Sequence, residues 1–285
     1  VVGQYNQKLF IELENIALRR IAQKVFVRSL QKIQIVVIDL EFTKFKLAKF
    51  KPIKSIGSLT DYTNTNAYLH NPNPNLFDNM ILRTIETRRM EDGLFFDIGA
   101  HTGLYSMLAC SVGFEVISVE ANPDISKVIK INKKLNNFEN IQIINKAVGK
   151  TQGKVFLEGL DPRQGSRVIS YKENSRLVCQ PVIEQVTLDD LSEEFGFPTI
   201  IKIDIEGLEV DALKGAKKII EKGITTFLID IHQNYLSSSK VSPQFFLGIF
   251  PRERWCFSTS SEEKEVIISA EDILNHNFVK ISPII

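Results

Sequence analysis

Asp97, Gly99, His101 and Gly103 fall in one short stretch, FFDIGAHTGLYS, where an apolar segment meets a glycine-punctuated turn. Glycine at such a corner accepts a positive φ and lets the backbone approach a ligand with no Cβ in the way. A turn of this kind can hold a dinucleotide, a nucleoside without phosphate, or nothing. The dinucleotide pattern G-x-G-x-x-G fails, because His101 stands where a second glycine belongs and the next comes at 103. A pyrophosphate needs that close approach to the amides at a helix start. Glu120 lies seventeen residues beyond Gly103. A carboxylate there can accept hydrogen bonds from both hydroxyls of a ribose, and it repels a 2′-phosphate. The spacing favours a nucleoside cofactor, with an empty structural corner as the alternative.

Two further pairs lie downstream. Asp204 and Glu206 follow the apolar run TIIKI, and Asp230 and His232 end TTFLIDIH. Residues two apart at a strand end share a face. His232 has a pKa suited to taking a proton from a nearby hydroxyl; equally, it can be a neutral ring fixing a loop. Glu206 either faces a substrate or is a helix N-terminal carboxylate favoured by the dipole. Lys202 shares the face of Asp204 and can simply pair with it. Asp204, Asp230 and His232 could form an oxygen-rich metal site, although no metal is expected.

The elements that must position these groups are legible as alternation. LFFDIG, EVISVE, IQIINKAV, TIIKIDIEG and TTFLIDIH read as strands, with helices over 102–112, 124–136 and 208–222 between them. Strand and helix in turn imply a mostly parallel sheet covered on both faces. The alternation breaks at 150–187, where GKVFLEG, SRVIS and VIEQVTL read as short antiparallel strands. The tail reads as a shorter helix and antiparallel edge strands, with Trp255 as packing. A helix is expected from about Phe77 to Arg89 and a half-buried strand from Ile38 to Thr43. Residues 55–79, rich in Asn, Pro, Ser and Thr and carrying His70, read as loop. Residues 8–32 read as an amphipathic helix with a basic stripe of Arg20, Lys24, Arg28 and Lys32.

Composition narrows the classes. Of the 285 residues 44% are hydrophobic, enough for a packed core, and the net charge is +1. Eleven lysines and arginines face four acids over residues 1–54, a local +7 that leaves −6 on the remainder. Such a segment can touch a membrane surface or a polyanion, or dock on its own acidic body. Cys110, Cys179 and Cys256 are odd in number and form no CxxC, which fits a reducing compartment and no disulfide framework. No apolar run approaches a membrane span. Because the chain begins with Val1, an upstream segment stays open.

The blocks FFDIGAHTGLYS, VEANP, INKAVG, VTLDDL, IIKIDIEGLEVDALKGA and FLIDIH, in this order, resemble S-adenosylmethionine-dependent methyltransferases of the FkbM family. The likeness spans roughly residues 92–235, and residues 1–75 carry none. It implies an α/β, Rossmann-like class I methyltransferase sheet of seven strands, mostly parallel with an antiparallel edge. An N-terminal helix/strand cap and loop would occupy 1–75 and the methyltransferase domain 76–285. The cofactor implied is S-adenosylmethionine. Its amino-acid and ribose part would lie on Asp97, Gly99, Ala100, His101, Thr102 and Gly103, with the ribose hydroxyls on Glu120. Asn122 and Pro123 would start the next helix beside the adenine, Ala147 with its neighbours Lys146 and Val148 would flank it through backbone groups, and Ala121 would belong to the cofactor-binding set. Asp204 would hold the methionine amino group or orient the acceptor. Asp204, Glu206 and His232 make the implied catalytic set. His101 is a common alternative to Asn in the family turn, whereas family members usually carry Glu at Asp230. The cofactor has no phosphate, and no cationic cradle is seen; its sulfonium calls for acidic and carbonyl groups near the methyl.

The activity implied is O-methylation of a hydroxyl on a sugar, glycan or polyketide-like small molecule. The alternative is an inactive methyltransferase-fold binding or scaffold protein. Nucleic acid is not an expected partner, since there is no NPPY-type motif and the basic segment lacks interleaved aromatics. The expected location is cytoplasmic, with peripheral membrane contact through residues 8–32 as an option.

Overall fold

The computed structural model of the protein describes residues 33–40, 43–50, 76–88, 93–158, 167–170, 181–232, 242–261 and 264–284. Strands β1 (Ile33–Leu40) and β2 (Thr43–Phe50) pair antiparallel, from Ile33↔Phe50 to Leu40↔Thr43. The segment expected as one strand from Ile38 to Thr43 is therefore divided. Its alternation runs back to Ile33, and its far end belongs to the returning strand. The basic helix over 8–32, the loop up to Asn75 and His70 within it lie outside the described residues.

Helix α1 (Leu76–Arg88) leads to β3 (Leu94–Ile98), α2 (Leu104–Ser111), β4 (Glu115–Val119), α3 (Pro123–Asn136) and β5 (Ile141–Ile144). Short strands β6 (Ala147–Val148), β7 (Gly153–Glu158), β8 (Arg167–Ser170) and β9 (Val182–Val186) follow. Then come α4 (Leu188–Phe195), β10 (Ile200–Ile203), α5 (Glu209–Lys214), α6 (Lys217–Lys222) and β11 (Thr226–Asp230). Helix α7 (Pro243–Ile249) and strands β12 (Trp255–Ser261), β13 (Lys264–Ile267) and β14 (Phe278–Pro283) complete the described chain. Among the described residues no helix is long and apolar enough to cross a membrane.

The main sheet runs β13-β12-β14-β11-β10-β3-β4-β5. Strands β11, β10, β3, β4 and β5 are mutually parallel, while β14, β12 and β13 add antiparallel pairings at one edge. The resemblance implied seven strands; the eighth is β13, added at the edge where it leaves the core order unchanged.

Two other expectations are corrected. IQIINKAV is not one strand: β5 stays in the main sheet, while β6 joins a second sheet, β6-β9-β7-β8. Asn145 stands between them and donates through Nδ2 to the carbonyls of Glu120 and Ala121. The helix expected over 208–222 is broken at Gly215. The carbonyl of Gly215 accepts from the Asp189 amide of α4 instead of continuing the helix, and the Asp189 carboxylate caps α6 at the amides of Lys218 and Ile219. Helix α4 itself, within VTLDDL, was not expected as a helix. It starts on a capping box in which Thr187 and Asp190 satisfy each other's backbone amides.

Alternate side chains of the central strands enter two apolar layers. Phe95, Ile200 and Leu228 pack with Ile81 and Ile85 of α1 and Met107 of α2. Phe96, Ile201, Ile203, Phe227 and Ile229 pack with Leu191, Leu213 and Ile219. Trp255 is core, as expected, with its ring edge-on to Phe250 and Phe227 at 5.0 and 5.9 Å.

Register decides where the chemistry sits. Ile98 is the direct partner of both Val119 and Ile203, and Ile203 of Ile229. Glu120, Gly99, Asp204 and Asp230 each come one residue after those four positions, so they share one end of the sheet. The order turns back between β3 and β10, and in open α/β sheets that switch point is where ligands bind.

Candidate active site

The turn after β3 is held by the protein's own groups. Gly99, His101 and Gly103 have φ of 74°, 50° and 81°. The amides of Gly99 and Ala100 both donate to the Val119 carbonyl at 3.0 Å. Glycine is required at 99 for a reason different from the expected one. A Cβ there would meet the Asp204 carbonyl oxygen at 1.8 Å, so the close approach is to the loop after β10 and not to a ligand. At Gly103 a Cβ would press on Ile129 of α3 at 3.0 Å. The Thr102 carbonyl accepts from Nδ2 of the buried Asn132 at 2.6 Å.

Glu120 closes the turn from the neighbouring strand. Its Oε2 accepts the His101 amide and its Oε1 the Asn122 amide, both at 2.8 Å. Burial pushes the Glu120 carboxyl up to about 7 despite these two amide bonds, which favour the charged form. Each carboxylate oxygen has a second lone-pair site, so ribose hydroxyls can be accepted alongside the amides. Asn122 caps α3, its Oδ1 accepting from Asp124 and Ile125, with Pro123 in the first turn. Ala121 packs against the small cluster that contains Ala147, so two residues of the expected cofactor-binding set lie together. Lys146 is partly exposed and pairs with Glu184 at 3.3 Å.

Asp97 is fully buried and already partnered. Ser106 Oγ donates to its Oδ2 at 2.6 Å, and Lys202 Nζ lies 3.4 Å from its Oδ1. Lys202 pairs with Asp204 at 3.5 Å, as its face implied, and also donates to the Gly99 carbonyl at 2.8 Å. Burial opposes the Lys202 charge, but the carboxylates of Asp204 and Asp97 outweigh it and raise its pKa. This lysine ties the cofactor turn to the acidic loop.

Beyond β10 and β11 lies an acidic group around one histidine. His232 Nδ1 is 2.9 Å from Glu209 Oε1, and its Nε2 is 3.4 Å from Glu206 Oε2. Asp204, Asp230 and His232 each offer a ligand atom, all within 4.8 Å of one another. Burial, followed by the charge of Asp204, pushes Asp230 up to about 7. Burial favours the neutral His232 ring, but the hydrogen bond and charge of Glu209 overcome it and push the ring up to about 9. Burial also raises Glu206.

Glu206 is not the helix-end carboxylate. Its φ is 54°, and α5 begins three residues later at Glu209. Glu209 takes that role, its Oε1 accepting the amides of Gly207 at 3.0 Å and Ile205 at 3.3 Å. Sequence reasoning missed Glu209, Asn132 and Asn145. The signal for Glu209 was an acid in the first turn of the helix after IDIEG; the two asparagines carry no sequence signal that separates them from surface residues.

The strand order, the glycine turn after β3 and the acid-lined switch point are those of an open α/β domain that binds its ligand at the strand ends. The model of the family described as Methyltransferase FkbM domain matches residues 97–253. The chain belongs to the FkbM methyltransferase family. An uncharacterized protein of Methanocaldococcus jannaschii is 35% identical over 69 residues, 24% of this chain and 25% of that protein. The methyltransferase FkbM from Methylobacillus flagellatus superposes with a TM-score of 0.42 at 18% identity, covering 67% of this chain and 43% of that one. A SAM-dependent methyltransferase from Agrobacterium tumefaciens gives 0.42 at 12% identity, covering 87% and 69%. The chain thus spans about a quarter of the curated relative's length and under half of the FkbM structure's.

Membership assigns S-adenosylmethionine as the cofactor of the domain, and the donor set fits it. Glu120 presents a carboxylate at the end of β4, where ribose hydroxyls could be accepted. Lys202 is spent on Asp97, Asp204 and Gly99, so it forms no phosphate cradle. The partly exposed carboxylates of Asp204 and Glu206 suit a cationic ligand.

Proposed function

We propose that the domain is an S-adenosylmethionine-dependent O-methyltransferase acting on a hydroxyl of a sugar, glycan or polyketide-like small molecule. The observation that supports this reading is the in-register ending of β4, β3, β10 and β11, which brings Glu120, Gly99, Asp204 and Asp230 to one end of the sheet.

S-adenosylmethionine supplies an electrophilic methyl on a sulfonium sulfur. Everything else falls to the chain. Glu120 accepts the ribose hydroxyls, and the turn from Asp97 through Ala100 to Gly103 shapes the amino-acid end. Ala121, Asn122, Lys146 and Ala147 border the adenine. Asp204 holds the methionine amino group or the acceptor. With the cofactor bound, an acceptor hydroxyl aligned with the methyl would gain it as the methyl–sulfur bond breaks and S-adenosylhomocysteine leaves, and its proton would pass to Glu206, or to His232 when that ring is neutral. Alignment in a dry pocket contributes most of the rate in such transfers.

Calorimetric titration with S-adenosylmethionine tests the binding half. Saturable binding lost in Glu120→Ala is expected; no heat at millimolar ligand sinks the reading. Comparing glycans and small molecules from cells with and without the protein, in search of one added methyl, then identifies the acceptor. We also place the protein in the cytoplasm, with residues 8–32 against anionic membrane. Flotation with anionic vesicles is the expected outcome, and none at low salt rules the contact out.

A further inference from the structure

We propose that Asp204, Asp230 and His232 form a divalent-cation site, of the Mn2+ and Mg2+ class, at the carboxyl ends of β10 and β11. This revises the expectation of no metal. It rests on the methyltransferase reading for what the ion does there, and not for whether it binds.

The donors come from two adjacent parallel strands. Asp204 follows Ile203 and Asp230 follows its partner Ile229, so register alone sets the two carboxylates side by side. His232 enters from two residues beyond, and the three ligand atoms lie within 4.8 Å of one another. All three side chains are half-buried, so an ion can reach them. Two carboxylates and one imidazole suit a hard or borderline divalent ion, and the absence of thiolate disfavours softer ones.

Helix α5, outside this trio, supplies two further observations. The Glu209 carboxylate, 2% exposed, accepts from His232 Nδ1 at 2.9 Å. With Nδ1 held by Glu209, Nε2 is the nitrogen an ion would take, displacing the proton that the ring otherwise turns toward Glu206. Metal-binding histidines are characteristically oriented by a carboxylate in this way. Independently, Glu209 Oε2 is buried with no hydrogen-bond partner. A carboxylate oxygen left so is costly unless positive charge stands nearby. Lys202 is already divided between Asp97, Asp204 and the Gly99 carbonyl. The carboxylates of Asp204, Glu206, Glu209 and Asp230 thus meet two cationic groups, Lys202 and the His232 ring, and the ring gives up its second proton when an ion takes Nε2. A divalent ion balances this charge, and three protein ligands leave positions open for an acceptor oxygen, which the ion would polarise; with Asp204 and His232 bound to the ion, Asp204 would act on the acceptor through it and Glu206 would be the group that takes the proton.

The test uses the full chain, stripped with EDTA and titrated with Mn2+ alone while free Mn2+ is followed by electron paramagnetic resonance. One saturable site per chain is expected. Asp230→Asn and Glu209→Gln should each weaken it by about tenfold or more, and Glu193→Gln on the exposed surface should leave it unchanged. Paramagnetic broadening of the His232 ring signals in the unaltered protein gives a readout that does not depend on any variant folding. No saturable uptake, uptake that leaves His232 sharp, or equal affinity in Asp230→Asn overturns the site. S-adenosylhomocysteine binding on the same sample separates the two readings. If it binds and Mn2+ does not, the cation site fails alone; if Mn2+ binds and it does not, the methyltransferase reading fails alone.

Discussion

His232 Nδ1 lies 2.9 Å from Oε1 of Glu209, a carboxylate that is 2% exposed at the start of α5. The same oxygen accepts the amides of Ile205 and Gly207, on either side of Glu206 with its left-handed φ of 54°. One buried acid thus fixes both the histidine and the loop that presents Glu206.

Removing Glu209 should therefore cost more than a surface acid. Glu209→Ala strands two part-buried amides and the His232 ring, and a loss of about 3 kcal/mol is expected. Glu209→Gln keeps a carbonyl acceptor and should lose about 1 kcal/mol. Urea midpoints of the two variants check the ordering, and equal losses would contradict it.

Gly99 and Gly153 make a paired test of backbone freedom. Gly99 combines a φ of +74° with a Cβ position 1.8 Å from the Asp204 carbonyl oxygen, whereas a Cβ on Gly153 meets nothing within 4 Å. Gly99→Ala should destabilise by more than about 1 kcal/mol, and Gly153→Ala should be neutral or mildly stabilising. Thermal melts of both variants give the comparison.

Lys202 is buried between two acids, so its loss leaves Asp97 and Asp204 uncompensated. Lys202→Met should lower stability by roughly 3 kcal/mol or more. Pairing it with Asp97→Asn should recover part of that loss, because the fully buried charge is then gone. A double-mutant cycle measures the coupling, and strict additivity would show that the pair contributes nothing.

Glu120 sets a pH dependence. Its carboxyl in the fold titrates near 7, above the ordinary value of 4.5. Between these two pH values the folded chain holds a proton that the unfolded chain has released. The contribution is full below the unfolded value and is lost as pH rises through about 7, a total of roughly 3 kcal/mol. Subtracting the stability–pH curve of Glu120→Gln from that of the unaltered protein should reveal this slope. A flat difference between pH 4.5 and 7 would falsify the assignment.

Much of the architecture was legible because its determinants are local. Apolar runs ending in Asp97, Glu120, Asp204 and Asp230 mark strands whose polar residues emerge at one end, and the glycine turn marks which end. The breaks were not legible. Helix 208–222 has unbroken periodicity, yet it parts at Gly215 because Asp189, distant in sequence, takes the carbonyl and caps the next turn. IQIINKAV looks like one strand, yet Asn145 turns it between two sheets.

The site divides along the same line. Residue types and spacing alone marked the family, the turn, the acid at Glu120 and the pairs Asp204/Glu206 and Asp230/His232. Tertiary structure decided what those groups do to one another. Gly99 is glycine because of Asp204, more than a hundred residues away; Lys202 joins Asp97 to Asp204; Glu209 takes the role that Glu206 seemed placed for. Spacing along a strand reports which residues share a face, whereas charge balance and van der Waals exclusion act through space, between strands whose order and register arise only on folding.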